Sequence, residues 1–171
     1  MSRFVHSGPV VIGFDGTPTA ERALRESASV LAPRRALVVV VWEAGRAFEL
    51  MTLPGRALEL PPVLVDIDAA VRLEKSASED AERLAEQGAM LATDLGYRAE
   101  GLAVADERTV AETLLRVAAE HDSQVLVVGS HGRRGLTATL LGSTTKAVVE
   151  RAPCPVLIVR GDDRDDQPRR S

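Results

Sequence analysis

Leu37 to Trp42 reads LVVVVW, an apolar run with no polar residue to turn toward water. Side chains on a strand alternate between faces, so both faces of this segment must be covered. Such a strand belongs inside a parallel sheet with helices on each side. Similar runs recur along the chain. Pro9–Phe14 (PVVIGF) reads as a first strand ending in Asp15-Gly16. Tyr97–Ala105 reads as a weaker third strand, Val125–Val128 as a fourth and Val156–Val159 as a fifth.

Helical patterns fill the gaps. Thr17-Pro18 combines a helix N-cap with proline at the first helical position. Ala20, Ala23, Leu24, Ala28 and Leu31 then keep helical spacing, and Pro33 closes the helix. Ala77, Ala81, Leu84, Ala85, Gly88, Leu91, Ala92 and Leu95 form one stripe of a long helix that starts near Asp66 or Asp68. Gly96 stands where its C-terminal cap belongs. Thr109–His121 is a helix with Val110, Leu114, Val117 and Ala118 on one side, and Ser143–Arg151 is another. Strands alternating with helices predict an α/β fold, a doubly wound, five-stranded parallel sheet of Rossmann-like type with strand order 3-2-1-4-5 and helices on both faces.

Residues 44–65 (AGRAFELMTLPGRALELPPVLV) break the rhythm with Pro54, Gly55, Pro61 and Pro62. They read as a long connection, either a lid over the body or a variable insertion. Residues 1–160 are expected to form one domain, and the mixed-charge stretch 161–171 a disordered tail. At 171 residues the chain is long enough for a sizeable core. Its net charge of −4 gives no electrostatic basis for generic nucleic-acid or membrane binding. No apolar run is long enough to span a bilayer, and the N-terminus has no signal-peptide pattern. Cys154 is the single cysteine, so no internal disulfide is possible. These features point to a cytoplasmic protein.

In folds of this class a ligand binds beyond the carboxyl ends of the strands, where the strand order reverses. Order 3-2-1-4-5 puts that reversal between strands one and four. Asp15-Gly16-Thr17 ends one of them and Gly129-Ser130-His131-Gly132 the other, so both loops flank one crevice. Glycines let backbone N–H groups approach an anion closely and allow unusual φ. Gly142-Ser143-Thr144-Thr145 opens a helix, whose free N–H groups and dipole favour phosphate. Ser143 is placed to cap this helix or to give its hydroxyl to a phosphate or metal. Neither the P-loop pattern nor the dinucleotide fingerprint is present.

The spacing Gly129-x2-Gly132-x9-Gly142-Ser143 resembles the nucleotide motif G-x2-G-x9-G-[S/T] of the universal stress protein family. Val10–Thr17 resembles the family's first strand and acidic turn, and Ala152–Val159 its last strand, so the similarity covers nearly the whole chain. The resemblance implies the ATP-binding branch, with ATP held together with Mg²⁺. By position, Phe14 and Asp15 would border the adenosine, and Val41 the adenine. Val128 and Gly129 would line the nucleoside side. Gly132, Gly142, Ser143 and Thr144 would hold the ribose and phosphates; Arg133, read from the residues alone, is either solvated or a charged donor to a phosphate. Val156–Val159 is an apolar sheet edge without a protecting charge, to be paired with a second copy or covered by the 161–171 tail or the 44–65 connection; the resemblance implies the first, a homodimer. Arg134 departs from the family's usual small residue, and 44–65 exceeds the length in its simplest members.

Each feature also has a plainer reading. The glycines suit a structural turn, and Asp15 an Asx-turn or helix cap. Lys146 points to solvent, and Cys154 is a small buried hydrophobe. His6, His121 and His131 share no metal-ligand spacing. Three functions follow: an ATP-binding sensor or switch, a slow ATPase or nucleotidyl enzyme, and a nucleotide-free interaction protein. No general base or arginine finger stands out, which weighs against turnover.

Overall fold

A computed structural model describes residues 7–32, 34–45, 67–106, 108–130 and 142–161. The two-sided apolar runs form the strands β1 (Val10–Gly13), β2 (Arg35–Glu43), β4 (Val125–Gly129) and β5 (Val156–Val159), with β3 at Arg98–Asp106. All pair in parallel, in the order β3-β2-β1-β4-β5. The expected strand order is therefore the observed one.

Strand alternation divides the core in two. Val10, Ile12, Phe14, Val38, Val40 and Val127 face one side, where α1 (Pro18–Val30) and α2 (Ile67–Asp94) supply Ala20, Ala23, Leu24, Ala81, Ala85 and Ala92. Val11, Leu37, Val39, Leu126 and Val128 face the other, against α3 (Val110–Glu120) and α4 (Ser143–Arg151). Because the β1, β2 and β4 side chains are buried on both faces, neither layer of helices can be removed without exposing the sheet. At Gly101 the approach of α2 is tightest: an added Cβ would lie 2.6 Å from the carbonyl carbon and oxygen of Ala85.

The local signals act as expected at most helix ends. The Thr17 hydroxyl accepts from the Ala20 amide at 3.2 Å and Pro18 opens α1. The Thr109 hydroxyl accepts from the Glu112 amide at 3.2 Å at the start of α3. At the end of α2, Gly96 adopts φ 96°, donating its amide to Thr93 O while the Tyr97 amide donates to Ala92 O. That pair of bonds is a Schellman cap, which requires the left-handed glycine. α1 closes at Leu31, whose N–H bonds Ser27 O at 2.8 Å. Pro33 lies outside the described residues. The α2 stripe is shifted from expectation. Ala77 is exposed, while Ala70 and Ala89 are buried. The Ala44-Gly45 turn follows β2, and the Gly45 amide donates to the Glu74 carboxylate on α2. Of the expected connection over 44–65, only these first two residues are described.

A buried polar pair ties α1 to the start of β3. The Tyr97 hydroxyl donates to Ser27 Oγ at 3.2 Å, and Ser27 Oγ donates in turn to Leu24 O at 2.8 Å. Burial pushes the Tyr97 phenol above its ordinary pKa of 10.0, against smaller opposing effects of the Ser27 bond and the Arg34 charge. Folding thus favours the neutral phenol. Its contribution is fully present below pH 10 and is lost as pH rises from there through the folded-state value. Tyr97 is the single tyrosine of the chain, so phenolate absorbance titrates it alone. The folded protein should titrate at a higher midpoint than the urea-unfolded chain, and Tyr97→Phe should flatten the alkaline fall in stability. Equal midpoints in the two states would refute this account.

Candidate functional site

The strand order reverses between β1 and β4, whose carboxyl ends lie side by side, with Ile12 opposite Val127. β2 runs past β1: Gly13 pairs with Val39, and Val40–Glu43 continue against β3. Val41 is therefore on the rim of the crevice, half-buried on the α3/α4 face of the sheet.

On the β1 side, Asp15 Oδ1 accepts from the Thr17 amide at 3.1 Å and from the Thr17 hydroxyl at 2.6 Å. Asp15 thus forms an Asx-turn that sets up the N-cap of α1, the plainer of its two sequence readings. Gly16, at φ 74°, makes the turn possible. The Phe14 side chain is core, against Gly88 of α2, so only its backbone is left to meet a ligand. Val128, 4% exposed, packs into the core on the other face, with the same consequence.

On the β4 side, one hydrogen bond ties the strand end to β5 and two tie it to the helix. The Ser130 amide donates to Val159 O at 2.8 Å, and the Gly142 amide to Ser130 O at 3.0 Å. The Thr145 hydroxyl donates to Gly129 O at 2.9 Å. The first turn of α4 is thereby fixed at the end of β4. Gly142 is its N-cap, with no side-chain cap bond, whereas threonines cap α1 and α3. Ser143 lies inside the helix as its first residue and is not the cap. With glycine as N-cap, the amides of Ser143 and Thr144 have no intrahelical acceptor and lie at the positive end of the helix dipole. Ser143 is exposed and Thr144 half-buried. Gly132 and Arg133, like His131, Arg134 and Gly135, lie outside the described residues.

Gly129 has a packing reason of its own. An added Cβ would lie 2.8 Å from Thr19 Cγ2, in the first turn of α1. Gly161, just past β5, meets the same side chain, its added Cβ lying 2.8 Å from Thr19 Oγ1. The ends of β4 and β5 thus both close onto Thr19. Gly142 is different: its φ of −56° suits any residue, and an added Cβ would come 3.3 Å from Ser130 O.

Sequence reasoning passed over Thr19, read Thr17 only as a helix N-cap and named Thr145 only as part of the α4 opening. Thr145 had a readable signal: it stands three residues before Val148, on the inner face of α4, and the two are 3% and 0% exposed. Lys146 is exposed as expected. Cys154 is half-buried, less covered than expected, and burial raises its thiol pKa against a smaller opposing bond from Ser123. A shallow depression on α3 is lined by Arg108, Glu112, Thr113 and Arg116. Its Glu112 and Arg116 are engaged with Arg151 and Glu120.

The universal stress protein family model matches residues 7–160. The chain belongs to this family. It is 32% identical over 157 residues to a universal stress protein of Mycobacterium tuberculosis, a match spanning 89% of this chain and 45% of that protein. The chain thus spans about half the length of the curated relatives it matches most fully. The solved structure of protein MJ0577 from Methanocaldococcus jannaschii superposes with a TM-score of 0.71 at 20% identity, over 93% of this chain and 99% of that one. An Arabidopsis thaliana family member solved with AMP bound has a TM-score of 0.60 at 14% identity, over 95% and 97% of the two chains. Family structures in complex with dAMP, from Archaeoglobus fulgidus, and with cAMP score 0.53 and 0.55, at 19% and 21% identity over 91% and 90% of this chain. At these identities the structures establish the shared fold.

Gly129→Ala should destabilise the protein by about 1–2 kcal/mol through the clash with the Thr19 methyl. Thr19→Ser removes that methyl and should recover part of the loss in the double variant, measured by urea unfolding. Strictly additive losses would show that Gly129 is not kept by this packing.

Proposed function

We propose that this protein binds an adenine nucleotide, ATP carried with Mg²⁺, at the carboxyl edge of the sheet, and that occupancy rather than turnover is its output. The observation that carries this reading is the glycine N-cap of α4, without a side-chain cap bond, fastened to the end of β4 at the reversal where β1 and the Asp15 turn also end. Amide donors and a helix dipole at a strand-order reversal make a favourable environment for a phosphate chain. Family members of the same fold solved with AMP, dAMP and cAMP support the adenine nucleotide as the ligand class.

In this reading Val41 and the backbones of Phe14 and Val128 border the base and sugar, with Asp15 beside the adenosine. The amides of Ser143 and Thr144 receive the phosphates, together with Gly129, Gly132, Arg133 and Gly142. Among the described residues no group of three His, Cys, Asp or Glu side chains comes together around a metal. The Mg²⁺ therefore fits as an ion brought in by the phosphates, with the exposed Ser143 hydroxyl as its protein oxygen. When bound, it would neutralise phosphate charge.

The same reading makes the protein a cytoplasmic homodimer, two copies joining along β5. Val156, Leu157 and Ile158 are only half-buried in the single chain. Among the described residues no helix is long and apolar enough to cross a membrane.

Mass spectrometry of small molecules released on denaturation tests the ligand. Co-purified ATP is the expected finding, and Mg-ATP at a hundredfold its Kd should add about 2.7 kcal/mol of stability. Gly142→Val should abolish that gain, since its side chain would stand over the amides of the α4 first turn. Absence of nucleotide together with an unmoved Tm would refute the binding. ADP accompanied by continuing phosphate release would replace the switch with an enzyme.

A further inference from the structure

Thr145 is a buried hydroxyl with a defined task. It is 3% exposed, on the inner face of α4, and it donates to Gly129 O at 2.9 Å, with Ser130 O a more distant 3.4 Å away. Gly129 is the last residue of β4, and Ser130 O already accepts from the Gly142 amide at 3.0 Å. The two bonds act on adjacent carbonyls of the strand end and on positions 142 and 145 of the helix. Val148 anchors the middle of α4 in the core, and the two bonds act on its first turn. Three residues apart and on one turn of helix, they fix the direction of that turn relative to β4. That direction aims the amides of Ser143 and Thr144. The α4 start has no side-chain cap of its own, so its orientation depends on these strand contacts.

We infer that Thr145 is a positioning residue: through its bond to the Gly129 carbonyl it orients the first turn of α4 for the phosphates of the bound nucleotide, without touching the ligand. This rests on the nucleotide-binding reading above and adds a residue to it. The donor must be a hydroxyl at that position. Valine has nearly the same shape but cannot donate, and it leaves the Gly129 carbonyl buried without this partner. Serine keeps the donor and loses only the methyl.

The affinities of full-length wild type, Thr145→Ser and Thr145→Val for ATP and for adenosine separate aim from stability. Adenosine uses the base and sugar side of the crevice and has no phosphate to be aimed at. In isothermal titration Thr145→Val should bind ATP about tenfold more weakly while adenosine affinity stays within about twofold, and Thr145→Ser should keep the wild-type ratio of the two. Should Thr145→Val not fold, Thr145→Ala is read in its place. Parallel loss of both ligands, or an unchanged ratio in the valine or alanine variant, would overturn the assignment. So would a serine variant as impaired as the valine one. Each of these outcomes leaves wild-type ATP binding, and with it the nucleotide reading, intact. A wild type that binds adenosine as tightly as ATP fails differently: it removes the phosphate cradle and Thr145's task together.

Discussion

Burial of β1, β2 and β4 on both faces is the constraint from which the other features follow. Val10, Val11, Ile12, Val38, Val39, Leu126 and Val127 are each at most 1% exposed, so no side of the sheet centre tolerates water. Both helix layers are then obligatory, and in a parallel sheet every connection must cross over a face. Crossovers to opposite faces require the strand order to reverse once. The reversal puts a crevice at the carboxyl ends of β1 and β4. The candidate site is thus a by-product of how the core is closed.

What shapes the crevice is a small set of short-range contacts made by threonines. Thr17 organises the Asp15 turn and caps α1. Thr19, two residues on, fills the space that Gly129 and Gly161 leave open. Thr145 ties α4 to the end of β4. Each has a hydroxyl to bond backbone and a methyl to pack, and a β-branched side chain loses little rotamer freedom when held. The α4 start differs from those of α1 and α3: its N-cap is a glycine with no side-chain bond.

Much of the fold was legible. LVVVVW announced a two-sided strand, and Thr17-Pro18 and Gly96 marked helix ends that the structure retains. These signals are short-ranged: periodicity and caps act within a turn or a strand. Ala77 lies outside their reach: a period marks a face of the helix but not what covers each position along it, and Ala77 is exposed while Ala70 is fully buried. Around the crevice, Asp15, Gly129 and Gly142 were found by position, and the Asx-turn of Asp15 was among its readings, but the packing partner of Gly129 and the cap position of Gly142 were not. Asp15 bonds Thr17, Gly129 admits Thr19, and Gly142 takes the cap position assigned to Ser143.

The amino-acid sequence by itself determined the alternation of strands and helices, the two apolar faces of each central strand and the family to which the chain belongs. Those properties reside in residue order over a few positions, and a pattern of apolar and capping residues specifies them without reference to distant chain. Only the tertiary structure decided that Thr19 of α1 meets Gly129 and Gly161, and that Thr145 bonds the carbonyl of Gly129. These partners are joined by pairing of β1 with β4 and β4 with β5, contacts between segments far apart in sequence. Their geometry follows from how the layers close, and neither residue carries a local mark of the neighbour it will meet.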